Sequence, residues 1–388
     1  MSIARVLIMM SVVLTVLGSV HYYLWVRLVR DTGMPPPWPT WLGWLLIGLL
    51  AAIPVSILSS RSLPPGWSSP WFWGVFSWVG VMFFLLVLLL PTELIRGGWA
   101  AADWWRDGPA VDPERRLFLT RAAAMAVGFG AFGLSATGLV ATRGAIAVKR
   151  VAVSLAQLSP ALAGFRIVQI SDVHVGQTIG QGFIEALVAQ INALQPDLIA
   201  ITGDLVDGSV ANIGAAVAPL AGLRAPHGVF FVTGNHEYYS AVTDWLPFLT
   251  GLGIRVLRNE RVPIEQAGAG FDLAGIDDFL AEGFGHGPDL PKALAGRDPD
   301  RPVVLLAHQP RAIFEAARLG VSLQLSGHTH GGQIFPFNYL VKLQQPYVSG
   351  LHRHGDSQIY VSRGTGYWGP PMRVGAPPEV TCIELSPA

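Results

Sequence analysis

Residues 198–207 read LIAITGDLVD: a short apolar run, 198–201, leads into Gly203-Asp204-Leu205-Val206-Asp207. An apolar run this short, closed by glycine and aspartate, suits a buried strand ending in a polar loop. The same pattern recurs on both sides. Residues 166–170 lead into Asp172 and His174, and 229–232 into Gly234-Asn235-His236-Glu237. Further on, 303–306 lead into His308, and 323–325 into Gly327-His328-Thr329-His330-Gly331-Gly332. Between the first two runs, residues 183–194 place Phe183, Leu187, Ile191 and Leu194 on one helical face. Strand, helix, strand at this spacing predicts an α/β domain with parallel pairing in part of its sheet. Open α/β sheets carry their sites at the carboxyl ends of strands, so the five polar clusters are expected to converge.

The residue types at those ends suit divalent metals. Imidazole nitrogen and carboxylate oxygen bind Zn, Mn and Fe well. A carboxylate can bridge two ions, and two ions roughly 4 Å apart can clamp a phosphate. The only cysteine is Cys382, which excludes an intrachain disulfide and a cysteine-based zinc site. Taken singly the signals are ordinary: a strand-ending Gly-Asp is commonly a turn, and a lone histidine such as His308 is more often structural. Gly327-His328-Thr329-His330 is sharper, because two histidines two apart between glycines favour one chelating loop. All five clusters in this order read as a metal site.

With those motifs, the stretch from about Arg166 to the C-terminus resembles the calcineurin-like metallophosphoesterase superfamily, in particular its membrane-anchored bacterial branch. The resemblance implies two mixed β-sheets packed face to face between helices. It implies two divalent ions (Mn, Fe, Zn or Mg) and hydrolysis of a phosphate ester by a metal-bound hydroxide. Asp172 and His174 would bind the first ion, Asp204 would bridge, and Asn235, His308 and His328 would bind the second, with His330 returning to the first. His236 would not bind metal; as the catalytic residue it would sit over the substrate phosphate, stabilising charge or protonating the leaving oxygen. Asp207 reads slightly better as a turn residue than as a group orienting a ligand. Glu237 reads as a loop residue, Asp277 and Asp278 as equally well cleft-lining or incidental, and Arg363 and Arg373 as weak candidates for phosphate contact. His352 and His354, alternating along a strand expected over 351–360, read as surface residues.

The first half of the chain differs in texture. Hydrophobic residues make up 51% of the chain and charged residues 13%, about half the charged share of a typical globular domain. The shortage lies in four apolar runs at 3–26, 41–58, 71–90 and 122–141. Each is near the roughly 20 residues that cross a bilayer as a helix. Tryptophans 38, 41, 44, 67, 71 and 73 cluster near the run ends, as an aromatic belt would. The expected organisation is a membrane region of about four transmembrane helices at 1–142, a linker at 143–163 and a metallophosphoesterase domain at 164–388. With the N-terminus outside, Arg27, Arg30, Arg96, Arg106, Arg115, Arg116 and Arg121 face the cytoplasm, and Arg5, Arg61, Arg143, Lys149 and Arg150 face out. That bias predicts a multi-pass protein of a bacterial inner or cell membrane, with an extracytoplasmic catalytic domain. Glu114-Arg115-Arg116-Leu117-Phe118-Leu119 resembles an internal twin-arginine export signal and reads equally as a positive anchor; either places the domain on that side.

The function expected is a two-metal phosphodiesterase acting at a membrane, on a phosphate ester that the anchor makes attractive as a lipid-linked one. The 26 basic and 26 acidic residues cancel, so no nucleic-acid partner is expected. One alternative is a pyrophosphohydrolase of a sugar-nucleotide lipid, whose cytoplasmic substrate conflicts with the topology. Another is a membrane sensor or transport component with a vestigial hydrolase domain, although the apolar runs lack the internal charges of a transport path.

Overall fold

The structure, a computed structural model, describes residues 3–60, 63–105 and 112–388. Arg61 and Arg106, used in the orientation argument, lie outside the described residues, as does the side chain of Arg5. The chain divides into two compact units: Met1–Ser59 with Trp73–Thr137, and Ser60–Phe72 with Gly138–Ala388.

The first unit is helical. Helix α1 spans Ile3–Trp25 and continues as a π-helical turn, Val26–Arg30; α2 spans Trp38–Ser59, α3 Ser69–Trp105 and α4 Pro113–Arg143. All four carry stretches long and apolar enough to cross a membrane. A helix satisfies its backbone internally, which a lipid-exposed segment requires, and Ile47, Leu58, Phe129 and Phe132 stand exposed on these helices. The charges gather at one end of the unit. Arg27 pairs with Glu93 at 2.7 Å and with Asp31 at 2.9 Å, Arg96 reaches Asp31 at 3.4 Å, and Arg121 Nε donates to Thr32 O at 2.8 Å.

The second unit carries twelve strands among the described residues: β1 Ala147–Leu155, β2 Phe165–Ile170, β3 Leu198–Thr202, β4 Val229–Val232, β5 Ile254–Val256, β6 Glu260–Gln266, β7 Ala269–Gly275, β8 Val303–Leu306, β9 Leu323–Ser326, β10 Gly350–His354, β11 Ser357–Val361 and β12 Glu379–Pro387. They form two six-stranded sheets, β1-β12-β2-β3-β4-β5 and β10-β11-β9-β8-β7-β6. Both are mixed. In the first, β2 to β5 run parallel and β12 runs antiparallel to β2; in the second, β7, β8, β9 and β11 run parallel and β6 and β10 antiparallel. Alternate residues of the two sheets share one core: Phe165, Ile167, Leu198, Ala200, Phe230 and Val232 with Phe271, Leu273, Val304, Leu306, Leu323 and Leu325. The residues between them, such as Val303, Leu305, Ile359 and Val361, pack on the other face against Ile313 and Ala316 of a covering helix. Each such Val, Leu, Ile or Phe side chain contributes roughly 1.5–3 kcal/mol on burial.

Three details depart from the sequence expectations. Residues 143–163, expected as a linker, hold β1, which pairs in parallel with β12 along its whole length. Residues 351–360, expected as one strand, form the β10–β11 hairpin because Gly355 turns the chain at φ 60°. Helix α5, Gln181–Ala193, buries Ile184, Leu187 and Ile191, so Ile184 takes the inward place expected of Phe183. Helix α6, Val210–Val217, follows β3, and the short helix α7, Asn235–Tyr239, follows β4.

Two pieces of the helical half belong to this second unit. In the α2–α3 loop, Ser68 Oγ donates to Gln177 Oε1 at 3.0 Å, and Gln177 Nε2 donates to Ser60 O at 3.0 Å. At the end of α4, Arg373 N donates to Gly138 O at 3.1 Å and Thr142 Oγ1 to Pro371 O at 3.0 Å.

Candidate metal centre

The five strand ends meet. Asp172 and His174 follow β2, Asp204 and Asp207 follow β3, Asn235 and His236 open α7 after β4, His308 follows β8, and His328 and His330 follow β9. Their ligand-type atoms form three groups: Asp172 with His174 and His330, Asp204 with His308 and His328, and His174 with Asp207 and His236. In the first, His330 Nε2 lies 3.0 Å from His174 Nε2 and 3.4 Å from Asp172 Oδ1. In the second, His308 Nε2 lies 3.2 Å from Asp204 Oδ2 and 3.2 Å from His328 Nδ1. Asp204 Oδ2 also lies 4.0 Å from His174 Nε2, which sets this carboxylate between the first two groups.

Imidazole and carboxylate atoms gathered this closely in a buried place suit a divalent cation. His308 shows the preparation: Nδ1 stands 2.8 Å from the carbonyl of Thr202 and must carry the proton, leaving the Nε2 lone pair for a metal. His174 is oriented alike, with Nδ1 3.1 Å from Asp207 Oδ2. Asn235 Oδ1 is buried without a hydrogen-bond partner, an arrangement that costs about 1–3 kcal/mol unless something such as a cation satisfies it. These observations fit a pair of divalent ions.

The backbone is bent to make the site. Asp172, His174, Asp204, His328 and His330 all adopt φ between 51° and 70°. For residues with a side chain this left-handed region costs about 1–3 kcal/mol each and persists where the surroundings dictate it. Glycines give the room. A Cβ on Gly234 would meet Asp204 Oδ1, and one on Gly327 would meet Ser171 Oγ and Asp172 Oδ2. Gly327→Ala is therefore expected to lower stability by about 2 kcal/mol and to lower metal content with it. A calorimetric melt and elemental analysis check this; unchanged values would mean that the loop yields freely.

His236 falls in the third group, with His174 and Asp207. Its ring lies 4.6 Å from that of His174, 5.4 Å from Tyr239 and 5.9 Å from Trp368. Its Nδ1 is held by Asp207 Oδ1 at 2.5 Å. Burial alone would lower its pKa, but Asp207 and then Asp204 outweigh burial and raise it to about 9. Burial would likewise raise Asp207, but His236 and His174 hold its carboxyl far below the usual range. Asp207 is thus no simple turn residue, since each of its oxygens orients one histidine.

Glu237 is not a plain loop residue either. Fully buried, it accepts from the backbone N–H of Asp204 at 3.0 Å, Leu205 at 2.7 Å and Gly234 at 2.6 Å. Burial and then the charge of Asp204 push its carboxyl up to about 7 against those donors. Both residues carried one legible signal: an acid two or three positions from an expected ligand, within the same loop.

The remaining candidates divide. Asp277 is buried in a two-pronged pair with Arg258, at 2.8 and 2.9 Å, and Asp278 caps the turn at Leu280 and accepts from Gln309. Arg373 is buried and donates to the carbonyls of His330, Arg363 and Gly366, so it braces the ligand loop. Burial and then Arg373 keep His330 well below the usual imidazole value, hence neutral as a ligand must be. His352 and His354, expected at the surface, are half-buried, and both rings pack on Tyr347.

A model of the calcineurin-like phosphoesterase family matches residues 165–332. A Bos taurus protein described as a transmembrane protein with metallophosphoesterase domain is 43% identical over 300 residues, which cover 73% of this chain and 67% of that protein. A Danio rerio protein of the same description is 39% identical over 293 residues, 70% of this chain and 67% of that one. An uncharacterized metallophosphoesterase of Helicobacter pylori is 43% identical over 225 residues, 57% of this chain and 60% of that one. These relatives thus come from animals and bacteria alike, and the chain spans about two thirds or somewhat less of their length.

Proposed function

The chain belongs to the calcineurin-like metallophosphoesterases, a family of metal-dependent phosphoester hydrolases, and we propose that it hydrolyses a phosphodiester at a membrane. One observation carries the reading: Asp204 lies between two groups of imidazole and carboxylate atoms. Asp172, His174 and His330 would hold one divalent ion, Asn235, His308 and His328 the other, and Asp204 both. Ions held by these residues would supply Lewis acidity toward a phosphoryl oxygen and toward an attacking water.

The other roles fall to the chain itself. His236, charged near neutral pH through Asp207, presents Nε2 to the phosphate and returns a proton to the leaving oxygen. Tyr239 and Trp368, exposed beside it, offer apolar surface to a second ester group, which favours a diester over a monoester. Since all the ligand-type residues are present, a vestigial domain is the weaker reading.

We place the catalytic unit outside the cytoplasm. Arg27, Arg30, Arg96 and Arg121 lie at the polar end shared by α1, α3 and α4, the end the positive-inside rule assigns to the cytoplasm. Two spans separate the α2–α3 loop from the domain after α4, so both belong on one side. Their shared unit and the Ser68–Gln177 hydrogen bond agree with that.

The test uses the full chain in detergent, stripped with a chelator and reloaded with Mn, Fe, Zn or Mg. Turnover of bis(nitrophenyl) phosphate is expected to vanish on stripping, return on reloading and exceed that of nitrophenyl phosphate. Silence with every metal would sink the catalytic reading; a monoester preference would sink the diester.

A further inference from the structure

One surface of the catalytic unit has no part in the site above. Just after the ligand loop, segment 335–343 presents Phe335, Phe337, Tyr339, Leu340 and Leu343 to solvent, Leu343 at 84% exposure. A water-soluble surface rarely gathers so many large apolar groups in one short segment without a partner. Behind the segment lies a cavity of about 690 Å³ whose lining includes Phe335, Asn338, Lys342, His352 and Arg363. Lys342 and Arg363 bring positive charge, His352 brings an imidazole, and no carboxylate lines it. Asn338 Oδ1 is buried and unpartnered, an acceptor for a ligand's hydroxyl or ammonium. Gly331 of the ligand loop also lines the cavity, so it adjoins the metal centre.

The connections of this surface say what covers it. Phe335 N donates to Val374 O at 2.8 Å, and Arg373 N, next along the chain, donates to Gly138 O at 3.1 Å. A Cβ on Gly138 would touch Val374 and Met372 at 3.0–3.1 Å. The aromatic segment is thus two hydrogen bonds from the last turns of α4. From Gly138 to Arg143, where α4 ends, is five residues, about 7.5 Å at the helical rise. An interfacial apolar segment sinks roughly 5–10 Å below the headgroups, a depth comparable with that length of helix.

We propose that segment 335–343 docks into the bilayer interface and that the cavity behind it holds the phosphate of an anionic lipid. Lys342, His352 and Arg363 face the phosphate, and the aromatic side chains sit at the headgroup boundary, where such rings are favoured. That a lipid held here reaches the metal centre rests on the phosphodiesterase reading; the docking does not.

The experiment uses the full chain with Cys382→Ser and a single added cysteine, reconstituted in nanodiscs holding lipids with a buried spin-label quencher. An environment-sensitive fluorophore is attached at Leu343→Cys, at Tyr339→Cys should the first fold poorly, or at Arg224→Cys near the amino ends of the strands. The dye at 343 is expected to emit further to the blue and to be quenched several-fold more than at 224. Quenching should rise when phosphatidylglycerol replaces phosphatidylcholine, and Lys342→Glu should remove the rise. Equal quenching at 343 and 224 overturns the docking. Quenching that needs two copies per disc assigns the surface to a second copy and overturns it too. Insertion indifferent to anionic lipid overturns the phosphate cavity. An inactive chain whose dye still enters the bilayer leaves this inference standing while the catalytic reading falls; an active chain whose dye stays in water does the reverse.

Discussion

Asp204→Asn is expected to lower kcat/KM by about 10³-fold or more, on the order of 4 kcal/mol of transition-state stabilisation, while leaving the fold intact. The two oxygens of Asp204 have separate tasks. Oδ1 accepts from the backbone N–H of His236 at 2.8 Å, and the asparagine carbonyl can keep that bond. Oδ2 lies 3.2 Å from His308 Nε2 and 4.0 Å from His174 Nε2, where asparagine would put an uncharged NH2. A donor group there cannot ligate, and the negative charge that offsets two dications is gone. Metal content should drop from two ions per chain towards one or none, and the melting temperature measured without metal should change little. A fall in kcat/KM of less than about tenfold, with both ions retained, would remove Asp204 from the bridging position.

Why Asp204 could be found from sequence, while Asp207 and Glu237 were misjudged, is a matter of range. Asp204 ends a buried strand, and strand-end chemistry is local: apolar run, glycine, ligand. The five runs with this pattern became β2, β3, β4, β8 and β9, and their polar ends meet in the structure. Asp207 takes its role from His174, 33 positions earlier, and from His236, 29 later. Within its own loop it looks like any turn aspartate. Glu237 binds N–H groups on the loop after β3, so only the packing of β4 beside β3 reveals it. Strand β1 failed for the same reason, since its partner β12 lies more than 200 residues away, and Lys149-Arg150 interrupts its apolar alternation. The helical half was legible for the opposite reason. Lipid imposes its demand on every residue of a span, so hydropathy alone delimits α2 and α3 to within a few residues at most ends, with α3 running on to Trp105 beyond its apolar part.

Glu237→Ala is expected to cost about 3 kcal/mol or more of stability, the largest loss anticipated for a residue that binds neither metal nor substrate. Its carboxylate gathers three backbone donors from two loops, those of Asp204, Leu205 and Gly234. Each buried N–H left unsatisfied costs roughly 1–3 kcal/mol; a water entering the space left behind offsets part of that, which sets the lower figure. For a unit of this size the loss corresponds to a melting temperature lower by roughly 6–12 °C. Metal binding should weaken as well, because the same N–H groups hold Asp204 at φ 51°. Glu237→Gln separates the two effects. Its single oxygen, placed at the Oε2 position, keeps the bonds from Asp204 and Gly234, while its NH2 faces the N–H of Leu205. It should therefore lose less stability than the alanine variant and keep more metal. If both variants melted with the wild type, the carboxylate would not be the clamp between these loops, and the left-handed turn at Asp204 would need another support.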